Sequence, residues 1–122
     1  MPRPRKLRQV CGMPLVDRFT PQTAGDELRE PVVLTIDQFE TIRLIDYEML
    51  TQEECAKYMN VARTTVQAIY QQARQGIARA LVEGRPLIIA GGEYQLCEQR
   101  NVGPGRCRHQ GHAYRRGFLR KE

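Results

Sequence analysis

The sequence predicts a mainly α fold, with three helices between Thr35 and Gly84, a small β-hairpin behind them and a basic tail at either end. Three observations carry that prediction. Thr35 with Gln38, and Thr51 with Glu54, have the spacing in which a hydroxyl and a later Gln or Glu side chain satisfy free backbone donors at a helix start. Apolar residues then recur at helical intervals until Asn60 and Gly84, residues that tolerate the left-handed backbone that ends helices. The hydrophobic fraction of 41%, with no Trp, three Phe and five Tyr, suits a modest aliphatic core between helices better than a sandwich.

Taken in order, Pro2 and Pro4 forbid an early helix, and Leu7 to Cys11 can add a short strand to a neighbour. Pro14 to Pro31, with Pro21 and Gly25, reads mostly as loop. The first helix starts at Thr35, places Phe39, Ile42, Ile45 and Met49 on one face, and breaks within Asp46 to Leu50 because a new cap sits at Thr51. The second, from Gln52, presents Cys55, Ala56 and Met59 before Asn60. The third runs from Arg63 to Glu83 with Val66, Ile69, Tyr70, Ala73, Ile77, Ala80 and Leu81 on one stripe. Pro86 to Ala90, the pair Gly91 and Gly92, and Glu93 to Cys97 then read as a β-hairpin packed on that helix. The chain divides into a basic arm and loop (1–34), a helical domain with its hairpin (35–97) and a basic tail (98–122).

Nineteen Lys and Arg against fourteen Asp and Glu give a net charge of +5 over 122 residues. The bases gather at the ends, with Arg3, Arg5, Lys6 and Arg8 in the first nine residues, and the middle of the chain is net acidic. Tails of this kind suit a polyanionic partner, because they reach phosphates that a rigid body does not. No apolar run is long enough to span a membrane or to act as a secretory signal, so the expectation is a cytoplasmic protein whose four cysteines are thiols or metal ligands rather than disulfides.

The second and third helices have the spacing of a helix-turn-helix. Cys55, Met59, Val61, Val66 and Ile69 fall at its inner positions, Ala56 is the small residue where the helices cross, and Asn60 takes the turn. With those residues inside, Arg63, Thr64, Gln67, Ala68 and Gln71 are left on the outer face at the start of the third helix, the positions that enter the major groove in this motif. Arg offers a fork to guanine, Gln pairs bidentately with adenine, and Thr reaches a phosphate or a thymine methyl. The residues therefore predict binding to double-stranded DNA through that face, with Arg3, Arg5, Lys6 and Arg8 on the phosphates or along a minor groove. A single such helix reads only a few base pairs, which suggests a homodimer over two half-sites. The competing reading is a protein-interaction factor that contacts RNA polymerase through its acidic first helix, with the tails binding nucleic acid nonspecifically.

The opening PRPRKLRQV, the stretch LTIDQFETIRLIDYEMLTQEECAKYMNVARTTVQAIYQQARQGIARALVEGRPLIIAGG and the Cys- and His-bearing end together resemble UPF0251, also called DUF134, a prokaryotic family of predicted DNA-binding proteins. The resemblance implies a winged or extended helix-turn-helix similar to the DNA-reading end of bacterial sigma factors, with no enzyme activity and no known target; together with the exposed face it makes a regulator of transcription the expected role. Ala62 stands where relatives offer a Ser cap, and Gln110 stands where paired cysteines are implied.

Cys97, Cys107, His109 and His112 lie close together and make up a tetrahedral zinc set in type and number, although their spacing is not that of a standard finger. The alternative is a basic tail with incidental thiols and imidazoles, and Cys11 is a further candidate ligand. Cys55, on the inner face of the second helix, reads as a small core residue. No nucleophile with its base, carboxylate pair or phosphate-cradling glycine loop appears, so catalysis is not expected.

Overall fold

The computed structural model describes residues 7–22 and 29–96. It is mainly α with small β elements, in the order β1 (Arg8–Val10), β2 (Arg18–Phe19), β3 (Val32–Leu34), α1 (Ile36–Thr41), a π-helical segment (Ile42–Tyr47), α2 (Gln52–Met59), α3 (Arg63–Glu83), β4 (Leu87–Ile89) and β5 (Tyr94–Leu96). Both expected capping boxes form. The Thr35 hydroxyl accepts from Gln38 N–H while the Gln38 side chain accepts from Thr35 N–H, and Thr51 and Glu54 do the same for α2.

The first helix runs on from Thr41 into a π segment, whose wider turns are visible in the bond from Glu48 N–H back to the Arg43 carbonyl, 2.8 Å. Met49 then takes a left-handed conformation, φ 66°, and breaks the chain direction before Thr51. The break lies where the sequence placed it, but Met49 is 79% exposed rather than packed. The fully hidden stripe of this helix is instead Ile36, Glu40 and Leu44, with Phe39, Ile42 and Ile45 partly buried along its flanks. Glu40 accepts from Arg43 Nε at 3.1 Å and Nη2 at 2.7 Å, and from the Cys11 N–H at 3.2 Å. That buried ion pair ties the helix to the end of β1.

The expected hairpin does not form. β4 is the central strand of a three-stranded sheet, antiparallel to β2 (Phe19↔Leu87) and parallel to β3 (Leu34↔Ile89), so both of its edges are occupied. β5 pairs instead with β1 in parallel, Val10 opposite Leu96. Gly91 and Gly92, φ 76° and 103°, carry the chain past the start of α1, where Ile36 N–H donates to the Gly91 carbonyl at 2.8 Å. A Cβ on Gly92 would collide with Asp37 Oδ1 and lie 2.7 Å from Thr35 Cβ, so only glycine fits that close approach.

Two apolar clusters result, and α3 belongs to both. Val10, Leu34, Ile36, Ala73 and Ile89 join the strands to α1 and the middle of α3. Leu44, Cys55, Ala56, Met59 and Val66 join the π segment and α2 to its start. The strands therefore brace the long helix from behind and leave the opposite side of its first turns to solvent.

Candidate nucleic-acid interface

The α2–α3 junction is built by its turn. Asn60 is left-handed, φ 60° and ψ 46°, its N–H donates to the Lys57 carbonyl at 3.2 Å, and the Val61 N–H returns to the Ala56 carbonyl at 3.1 Å. The small Ala56, 6% exposed, lets the helices approach, and Cys55, Met59 and Val66 have no exposed surface. The Cys55 thiol donates to Met59 Sδ at 3.6 Å. Its burial, with the Glu40 carboxylate adding and Arg43 opposing, pushes the thiol pKa up to about 12, so it packs as a small apolar group. Cys55, Ala56, Met59 and Val66, read from the sequence as inner residues, are thus buried where α2 and α3 meet.

Arg63, Thr64, Gln67, Ala68 and Gln71 are all exposed on one side of the start of α3, while Val66, Ile69 and Ala73 turn inward. Among the described residues, none of those five makes a side-chain hydrogen bond or ion pair. Their neighbours are engaged. Gln72 accepts from Gln38 Nε2 at 3.3 Å, the Tyr70 hydroxyl donates to Asp46 Oδ1 at 2.7 Å, and the Arg74 guanidinium lies 5.4 Å above the Tyr70 ring and donates to its hydroxyl at 3.2 Å. These contacts fix the orientation of α3 against the first helix, and sequence reasoning placed Tyr70 on the buried stripe without anticipating its polar partners. Lost solvent and then the bond to Asp46 raise the Tyr70 pKa.

The first turn of α3 has no side-chain cap, since Ala62 occupies the cap position in an extended conformation, φ −72° and ψ 153°. Its N–H groups and the positive end of the helix dipole therefore face outward beside Arg63 and Thr64.

Of the bases expected in the N-terminal arm, Arg8 is folded in. Its side chain is 12% exposed, bonds to Glu93 Oε1 at 2.7 Å and lies 3.9 Å from Asp37 Oδ2, so it joins β1 to the chain before β5 and α1 rather than reaching outward. Arg3, Arg5 and Lys6, and the zinc candidates Cys97, Cys107, His109 and His112, lie outside the described residues. Among the described residues no group of three His, Cys, Asp or Glu is placed to hold a metal ion. Cys11 is disulfide-bonded, which corrects the expectation of reduced thiols at that position. No helix among the described residues is long and apolar enough to cross a membrane.

A family model described as "Protein of unknown function DUF134" matches residues 1–97. A UPF0251 protein of Desulfitobacterium hafniense is 56% identical over 107 residues, covering 86% of this chain and 84% of its own. A second, from Thermoanaerobacter pseudethanolicus, is 40% identical over 122 residues, covering 100% and 99%. A third, from Methanothermobacter thermautotrophicus, is 44% identical over 94 residues, covering 77% and 49%. No solved structure matches the chain. The sequence resemblance is thereby established, and the chain belongs to the DUF134 family of UPF0251 proteins.

Proposed function

We propose that the protein binds double-stranded DNA and reads its sequence with α3, acting as a regulator of transcription rather than as an enzyme. One observation carries this reading: Arg63, Thr64, Gln67, Ala68 and Gln71 form a contiguous exposed face on a braced helix, with their polar groups uncommitted, while Gln72 and Arg74 beside them are spent on internal contacts. Recognition requires donors and acceptors held rigidly yet left unsatisfied until a base edge arrives. Ala68 keeps the centre of the face low, so that Gln67 and Gln71 reach past it. The uncapped start of α3 adds backbone donors and a positive dipole end, which suit a phosphate at the groove edge.

Selection of bound duplexes from a random-sequence library tests the proposal. Enrichment of one motif supports it. Uniform weak binding of all sequences contradicts it and favours the reading in which the acidic first helix contacts RNA polymerase and nucleic acid is held nonspecifically.

A further inference from the structure

We propose that Cys11 and Cys97 are a redox pair, whose disulfide fastens the first strand of the domain to the last. Cys11 is disulfide-bonded and 4% exposed, and Cys55 is free. Of the four cysteines in the chain, Cys97 and Cys107 remain as partners. The strand register chooses between them. β1 and β5 run parallel, with Arg8 opposite Tyr94, Gln9 opposite Gln95 and Val10 opposite Leu96. One further step along both chains sets Cys11 opposite Cys97, which follows directly on the last described residue, and Cys107 stands too far along the chain to share that register. Neighbouring strands lie about 4.7–4.9 Å apart, inside the range of about 4.4–6.8 Å between Cα atoms that a disulfide spans. Residues paired in register also direct their side chains to the same face of the ribbon.

The far end of β5 is the end that gains from such a bond. Among the described residues β1 is its only strand neighbour. Tyr94 packs on the apolar cluster of Val10 and Ile36, and Glu93 holds Arg8, but Gln95 and Leu96 are exposed. Three parallel pairs give little stability by themselves. β1 is anchored, since Val10 has no exposed surface and the Cys11 N–H donates to the buried Glu40 at 3.2 Å. A bond from Cys11 therefore ties the exposed end of β5 to a fixed point. It also occupies the sulfur of Cys97, which then cannot serve in a zinc set.

The oxidant belongs to the class of low-molecular-weight disulfides, of which glutathione disulfide is the probe. Because Cys11 is buried, the Cys97 thiolate makes the first attack, displacing one thiolate from the small disulfide and forming a mixed disulfide. The Cys11 thiolate then attacks the Cys97 sulfur, closing the protein bond and releasing the second small thiolate. Two electrons pass to the small disulfide, and the two protons given up by the cysteines are taken up by the two small thiols released. Excess small thiol runs the sequence in reverse.

Equilibration of the full chain with glutathione at a series of thiol-to-disulfide ratios tests the proposal. After alkylation and unfolding, trypsin, which spares the Arg85–Pro86 bond, leaves Cys11 in peptide 9–18, Cys97 in 80–100 and Cys107 in 107–108, and mass spectrometry tells these apart. The expected result is a link between 9–18 and 80–100 that grows with oxidation and gives way to two alkylated peptides on reduction. The linked form should melt about 10 °C or more above the reduced one, because a bond between residues distant in sequence restricts the unfolded chain strongly. Cys97→Ser should abolish that link and remove its contribution to melting. A link from 9–18 to 107–108, both thiols alkylated at every ratio, or both protected by an equivalent of zinc overturns the pairing. A link that persists at the most reducing ratio, or whose loss leaves melting unchanged, overturns the proposal as well.

Discussion

Replacing Glu40 by Ala removes the centre of the buried polar cluster that joins the first helix to β1. Glu40 has no exposed surface and Arg43 is 5% exposed. The carboxylate accepts both guanidinium bonds, at 3.1 and 2.7 Å, and the Cys11 N–H at 3.2 Å. Its loss removes this carboxylate from a cation in a low-dielectric site, which costs about 3–5 kcal/mol, and from a buried N–H, which costs about 1–3 kcal/mol more when nothing replaces it. The two effects share one relaxation, so the expected total is about 4 kcal/mol rather than their sum. Against the 5–15 kcal/mol typical of a domain, that is a large fraction of the stability. At a urea slope of about 2 kcal/mol per molar it moves the unfolding midpoint down by about 2 M. The double variant Glu40→Met with Arg43→Met removes both charges while keeping much of the volume, and should recover most of the loss. Equilibrium urea unfolding of parent, single and double variants measures all three. A cost below about 1 kcal/mol for Glu40→Ala, or a double variant as unstable as the two single losses added together, refutes the reasoning.

Ala62→Ser should stabilise the protein by about 1 kcal/mol, because the extended cap position of α3 has the backbone a serine needs and no cap side chain at present; thermal melting checks it. Gly92→Ala should cost about 2–3 kcal/mol in urea unfolding, since a φ of 103° disfavours a side chain and the new methyl meets Asp37 and Thr35. Cys55, with its pKa raised from 9.0 to about 12, should resist alkylation at pH 8 in the native protein and react once it is unfolded, as followed by mass spectrometry of the peptide that contains it. The same shift makes the Cys55 contribution to stability complete below about pH 9 and progressively lost between there and about pH 12, because the unfolded chain ionises first.

Local signals were legible because they need only neighbouring residues. The two capping boxes, the left-handed Asn60, the stop at Gly84 and the inner set Cys55, Ala56, Met59 and Val66 all stand where the sequence put them. The β connections were not legible, since Val32, Val33 and Leu34 choose β4 as a parallel neighbour through contacts distant in sequence, and that choice removes the edge a hairpin needs. Glu40 and Arg43 were hidden for a different reason. An apolar-periodicity reading has no place for charges in a core stripe, and here each charge is buried by virtue of the other. Arg8 looked like one more arm base because its partner Glu93 is 85 residues away. Leu81 shows the remaining limit, for periodicity finds a stripe but does not tell a covered turn from a bare one.

The central claim, that α3 reads bases and other positive charge merely holds the duplex, is tested most directly by affinity for a selected and a scrambled duplex at several salt concentrations. Gln67→Ala and Arg63→Ala should each cost about 1–3 kcal/mol on the selected duplex and much less on the scrambled one, erasing preference while changing the salt dependence little for Gln67. Removing residues 1–6, with Arg3, Arg5 and Lys6, should weaken both duplexes alike and flatten the dependence on salt while preference survives. If Gln67→Ala and Arg63→Ala bind every duplex as the parent does while removal of residues 1–6 abolishes binding, α3 is not a reader and the account is contradicted.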